Sequence, residues 1–188
     1  YSFFYLHSFA DSNEINDKSV VLGSNEAIVK IKLFSSLTCP HCASFHNKVV
    51  PKIKKEFIDS GKVQLIFLDF PLDQAAFNAS KLLHCLNDKN QMEYLDIIYS
   101  TQNNWTSGST IDEINKNLQK IVKKMGINQD QFNKCLINDE IADKILNYRI
   151  EATKQYSINS TPTIIINEKK LEGSATFENI KKIIEKII

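Results

Sequence analysis

Lys32-Leu33-Phe34-Ser35-Ser36-Leu37-Thr38-Cys39-Pro40-His41-Cys42-Ala43-Ser44-Phe45 is the stretch that sets the reading of this chain. An apolar run ends in a short polar approach, and a cysteine follows. Pro40 then stands where a helix can begin, because its missing N–H is one that a first turn does not use and its φ is preset. Two cysteines separated by two residues at a strand-to-helix junction can close a small disulfide ring. The same position sets Cys39 against the orphan N–H groups and positive end of the helix, which favour a thiolate. Cys42 falls one turn in, on the apolar stripe Cys42, Phe45, Val49, Ile53 and Phe57, so it is expected to be buried and the weaker nucleophile. Cys39 is then the exposed, attacking sulfur and Cys42 the resolving one, with Pro40 and His41 tuning the pair.

Working outward, Val20 to Leu22 and Ala27 to Phe34 read as strands. The helix opened by Pro40 runs to about Ile58, with a kink where Pro51 removes a bond to the carbonyl of Asn47. Val63 to Phe70 is the near-continuous apolar run of a buried central strand. About 90 residues then follow with helical period. Their stripes are Ala75, Ala79, Leu82, Leu83 and Leu86; Met92, Leu95, Ile98 and Tyr99; Ile111, Ile114, Leu118, Ile121, Val122 and Met125; and Phe132, Cys135 and Leu136. A capping box is expected from Thr110 and Glu113, a stop at Gly126, and a further helix over 139–156. Strands return at Thr163 to Asn167 and Lys169 to Leu171, turning at Asn167-Glu168, before an amphipathic helix on Phe177, Ile180, Ile183, Ile184 and Ile187. The order is β-β-α-β, an all-helical insertion, then β-β-α.

A Cys-x-x-Cys pair has other readings: half a zinc site, or a structural disulfide. Zinc needs two more ligands, and the chain has no second such motif. His46 reads better as a surface helix histidine. The second deciding element is Thr161-Pro162-Thr163, directly before the apolar strand Ile164-Ile165-Ile166. A proline at a strand head is a natural site for a cis bond that leaves neighbouring amide groups free.

With both elements in place, the chain resembles the thioredoxin superfamily, and the Pro-His dipeptide and helical insertion resemble its DsbA thiol:disulfide oxidase family, with the alphaproteobacterial branch suggested by composition and the extra cysteine pair. The resemblance implies an α/β thioredoxin fold over 18–72 and 155–188, an inserted helical domain over 73–154, and a flexible N-terminal segment over 1–17. It implies that Cys39 is the nucleophile, Cys42 its resolving partner, Pro162 a cis-proline facing them, and Thr161 a source of backbone groups for an extended substrate peptide. The chain departs from better-known members at Leu33, where they carry a buried carboxylate, at Leu65, where they carry Lys, and at Thr161, where they carry Val. The group that exchanges a proton with Cys42 is thereby left open, with His41 and Asp69 as candidates. Cys85 and Cys135, both on apolar stripes of the insertion, are expected to form a structural disulfide.

Composition limits the function. The 188 residues are 43% apolar and 24% charged with a net charge of +1, and no run is long enough to cross a bilayer. Binding to nucleic acid through a basic face is disfavoured. Tyr1 to Leu6 reads as a frayed terminus rather than a secretory remnant. The resemblance implies a periplasmic protein, expected to be a monomer without a metal or cofactor beyond its Cys39–Cys42 disulfide. The resemblance further implies that it acts on reduced or unfolded secreted proteins and is recharged by a membrane quinone-linked partner. A disulfide isomerase or reductase on the same fold, and a non-redox peptide-binding module, are the alternatives. Trp105 reads as a packing plug in a loop, His84 as a satisfied helix-surface histidine, and Lys52, Lys54 and Lys55 as a solvated face.

Overall fold

The computed structural model describes residues 19–188. The expectations for the N-terminal segment therefore lie outside the described residues. A five-stranded sheet has the order β1-β3-β2-β4-β5. Its strands are β1 (Val20–Leu22), β2 (Val29–Ser35), β3 (Val63–Asp69), β4 (Thr163–Ile166) and β5 (Lys169–Lys170). β2 and β3 run parallel with Leu33 opposite Phe67 and Ser35 opposite Asp69, while β1 and β4 flank them antiparallel.

The two-residue period of the strands sorts the core into two faces. Ile31, Leu33, Leu65, Phe67, Ile164 and Ile166 join the larger cluster, and Phe34, Ile66, Leu68 and Ile165 the smaller one. Leu33 and Leu65 are both fully buried, so an apolar pair occupies the positions where the resemblance places charges. At the β4–β5 hairpin, Asn167 and Glu168 both adopt positive φ, 44° and 66°. Asn167 is suited to this, because its side chain accepts from Lys30 N–H at 2.7 Å and donates to the Ile28 carbonyl at 3.2 Å.

The helix after Cys39 is more divided than a single kink. It runs as α1 (Pro40–Lys48), a short α2 (Val50–Ile53) and a π-helical turn over Lys54–Ile58. The missing N–H of Pro51 loosens the ladder, and the wider turn follows. Six helices lie between β3 and β4: α3 (Gln74–Cys85), α4 (Asp88–Ser100), α5 (Gln102–Trp105), α6 (Ile111–Lys124), α7 (Gln129–Leu136) and α8 (Asp139–Tyr156). The last, α9 (Phe177–Ile187), packs Ile180 and Ile184 against the sheet's larger cluster. Cys85 and Cys135 are joined, tying the end of α3 to α7.

Four local expectations need correction. Trp105 is a buried plug, but it closes the single turn α5 and donates its indole N–H to the Ile98 carbonyl at 2.8 Å. Glu113 does not complete a box with Thr110: Thr110 Oγ1 accepts from Glu113 N–H, while the Glu113 carboxylate reaches Ser109 N–H. His46 is not at the surface. It is 4% exposed, bonded to Asp96 at 2.7 Å and stacked 4.7 Å from the Tyr99 ring. His84 is likewise inside, against Asp69. Period alone could not assign these histidines, since α4 covers that face of α1 and the end of β3 lies against that face of α3.

Candidate active site

Cys39 is the N-cap of α1, with extended backbone (φ −76°, ψ 120°), and no acidic residue sits in the first turn to neutralise the helix end. The loop leading to it is fixed from three sides. Gln102 Nε2 donates to the carbonyls of Leu37 and Cys39 at 2.8 and 3.1 Å, Thr38 Oγ1 donates to the Asp73 carboxylate, and Ser36 Oγ accepts from Leu72 N–H. Gln102 went unnoticed in the sequence, because a glutamine in a polar stretch gives no sign that it is buried against a distant loop.

The Thr161–Pro162 peptide is cis, and it brings the Thr161 carbonyl to accept the Cys39 S–H at 3.4 Å. Burial works to raise the Cys39 thiol. It is outweighed by Thr161, by the backbone N–H groups of Cys42 and His41, and by the Cys42 thiol, so the Cys39 pKa lies below its usual value. Thr161 Oγ1 is buried with no partner of ordinary hydrogen-bond geometry, which leaves it free to serve a thiolate. Cys42 goes the opposite way. Burial, reinforced by the neighbouring Cys39 charge, pushes it up to about 12 despite favourable contacts from Thr161 and Ser36 N–H.

Exposure differs from the simple division expected. Cys42 is 2% exposed, but Cys39 is only 8% exposed, because the Thr161–Pro162 loop covers its sulfur. Pro40 and His41 are exposed. Beside them lies an open cleft of about 540 Å³ between α1 and the start of α9, lined among others by His41, Lys48, Lys52, Pro162 and Phe177. Lys52 stands 5.5 Å over the Phe177 ring, so it belongs to this cleft and not merely to a solvated face.

A family model described as thioredoxin matches residues 15–186. The crystal structure of Wolbachia pipientis alpha-DsbA1 superposes with a TM-score of 0.81 and 30% identity, covering 90% of each chain. The chain belongs to the DsbA family of thioredoxin-like proteins. A Bacillus anthracis protein named as disulfide bond formation protein D is 30% identical over 169 residues, covering 88% of this chain and 76% of that one. A Rickettsia bellii protein named as a protein-disulfide oxidoreductase is 28% identical over 184 residues, covering 97% of this chain and 70% of that one. The chain spans 62 to 70% of the length of the Rickettsia relatives it matches. Its enzyme class is that of a protein-disulfide oxidoreductase.

The asymmetry between the two thiols has a direct consequence. At mildly acidic pH, limiting iodoacetamide is expected to label Cys39 first in the reduced protein. Peptide mass mapping that located the first label on Cys42 would reverse the assignment of attacking and resolving sulfur.

Proposed function

We propose that this protein is a periplasmic thiol:disulfide oxidase that transfers its Cys39–Cys42 disulfide to reduced secreted proteins as they fold. A substrate thiolate attacks Cys39, the S–S bond breaks, and Cys42 leaves. A second substrate thiol then resolves the mixed disulfide, and Cys39 leaves as a thiolate. The observation that carries this direction is the lowered pKa of Cys39 at the head of α1, since whatever stabilises the thiolate stabilises the reduced enzyme and makes its disulfide the better oxidant. In this reading Thr161 offers backbone groups to an extended peptide while Pro40 and His41 shape access to Cys39.

The Cys85–Cys135 bond supports an oxidising compartment, because such structural bonds are rare where thiols are kept reduced. Among the described residues no helix is long and apolar enough to cross a membrane, which suits a protein recharged by a separate membrane partner linked to quinones. The chain acts as a monomer, with a catalytic unit over 18–72 and 155–188 and a helical unit over 73–154, and it needs no cofactor beyond its own disulfide.

Equilibration with glutathione, followed by quantifying the oxidised fraction, tests the direction. The expected potential is more oxidising than about −200 mV, with faster oxidation of a dithiol peptide than repair of a scrambled one. A potential near about −270 mV, the range of reductases, would overturn the oxidase reading.

A further inference from the structure

Gln102-Asn103-Asn104-Trp105 is a polar stretch of the insertion to which disulfide exchange assigns no part, yet it touches the backbone of the attacking cysteine. Gln102 is 7% exposed, although glutamine side chains are mostly solvated. Its amide nitrogen carries two hydrogens, and it donates to two carbonyls, Leu37 at 2.8 Å and Cys39 at 3.1 Å. An amide buried without partners is costly, and these bonds account for its place there. A structural role would end at satisfying the two carbonyls. The identity of the second one points further.

The Cys39 carbonyl is the first acceptor of α1, taking Ala43 N–H at 3.1 Å, and Cys39 N–H closes a turn onto the Ser36 carbonyl at 3.1 Å. Between these bonds the Cys39 backbone is extended, so the direction of its side chain depends on where the carbonyl is held. In this arrangement the sulfur meets the N–H groups of His41 and Cys42 and the Thr161 carbonyl. A donor on the Cys39 carbonyl also offsets the negative end of that residue's own peptide dipole. The single turn α5 is built to present this donor. Trp105 Nε1–H anchors it on the Ile98 carbonyl at 2.8 Å, and Thr106 Oγ1 donates to the Gln102 carbonyl at 2.7 Å. Asn47 Nδ2, in the last turn of α1, donates to the Tyr99 carbonyl of α4 at 3.2 Å. The insertion therefore holds α1 near both of its ends.

We propose that Gln102 is a positioning residue for disulfide exchange, an amide through which the helical insertion holds the Cys39 carbonyl and so keeps the attacking sulfur at the head of α1. The inference rests on Cys39 and Cys42 being the redox pair. Gln102 takes no part in the bond changes. A substrate thiolate attacks Cys39 and Cys42 leaves; the substrate's second thiolate then forms the substrate disulfide, and Cys39 leaves as a thiolate. Gln102 acts where Cys39 carries negative charge, at that departure and in the reduced enzyme. The titratable groups near the sulfur are Cys42 and His41 of α1 and Tyr99 of α4. Gln102 does not titrate, so a change in the Cys39 titration on replacing it reports where the sulfur is held.

Gln102→Met tests this, because it keeps the length of the side chain and removes both donors. Two readouts separate placement of the sulfur from packing: the pH dependence of Cys39 alkylation by iodoacetamide in the reduced protein, and the equilibrium of the Cys39–Cys42 pair with glutathione. The alkylation midpoint is expected to rise by about 0.5 to 1 pH unit. The glutathione equilibrium is expected to shift about three- to tenfold toward the enzyme disulfide, which makes it about 15 to 30 mV less oxidising. Gln102→Leu carries the same expectation and replaces Gln102→Met if that variant does not fold. Asn103→Ala, an exposed neighbour in the same turn, is expected to leave the equilibrium within about twofold and the midpoint within about 0.3 unit. A lower melting temperature alone, equal in both redox forms and with both readouts at the parent's values, would overturn the proposal. Equal changes in Asn103→Ala would do the same. Failure of the oxidase reading shows separately, as a reductase-like glutathione equilibrium in the parent protein, whether or not Gln102→Met departs from it.

Discussion

Replacing Cys85 and Cys135 together by Ala is expected to lower the unfolding free energy by about 4 kcal/mol. The bond closes a loop of 50 residues, and in the chain-entropy picture the denatured chain loses that much freedom when the loop is closed. Only a small part of the effect should come from packing. Cys135 lies on the buried face of α7 and Cys85 at the end of α3, where an Ala keeps the β-carbon contacts. For a chain of this size, 4 kcal/mol corresponds to a melting temperature lower by about 8 to 16 °C. Urea unfolding of the variant beside the parent protein, both with the Cys39–Cys42 pair in one defined redox state, measures it. A loss below about 1 kcal/mol would mean that the α3–α7 contact holds without its cross-link. Neither sulfur heads a helix as Cys39 does, so the rate of disulfide exchange at Cys39 is expected to be unchanged.

Much of this architecture was legible because its signals are local. Pro40 marked the start of α1, the unbroken apolar run of β3 marked a strand buried on both faces, and Asn167-Glu168 marked the hairpin. The Cys39–Cys42 spacing and the cis bond before Pro162 followed from residue type and position. The surroundings of the sulfurs were not legible in the same way. Gln102, 63 residues along the chain from Cys39, and Tyr99 of α4 reach the site from the helical insertion, and nothing in their own neighbourhoods shows where they point. His46 and His84 were misread for a related reason. Each lies on a helix face that reads as solvent-facing until another element packs over it, α4 for His46 and the end of β3 for His84, and each is tolerated there by a carboxylate from that element, Asp96 or Asp69. The partial covering of Cys39 belongs to the same class, since the covering loop is 122 residues distant.

The reduced protein is expected to melt above its Cys39–Cys42-oxidised form from neutral pH to about pH 9, and the two thiols set the edges of that window. The oxidised form carries no titrating sulfur at the site, so the difference between the forms follows Cys39 and Cys42. The folded-state pKa of Cys39 is depressed below its ordinary value of 9.0. Its contribution to the reduced form is therefore fully present above that value and is lost as pH falls through the folded pKa. Cys42 is raised to about 12, which acts in the other direction. Between pH 9 and 12 the unfolded chain ionises this thiol while the folded one keeps its proton, so the reduced form loses stability there. The advantage should rise on leaving acid, peak near pH 9 and fall beyond it. Each unit of depression at Cys39 is worth about 1.4 kcal/mol before solvent screening, or about 3 to 5 °C in melting temperature. Thr161 supplies the largest favourable contact on the Cys39 sulfur, whereas His41 contributes its backbone N–H while its side chain is exposed. Thr161→Val is thus expected to shrink the advantage more than His41→Ala does. Paired melting curves of both redox forms across pH, with the Cys85–Cys135 bond intact, decide the matter. An oxidised form that melted higher at neutral pH would mean that the site stabilises its disulfide over its thiolate, and such a protein would draw electrons out of the glutathione pool too weakly to oxidise a folding chain.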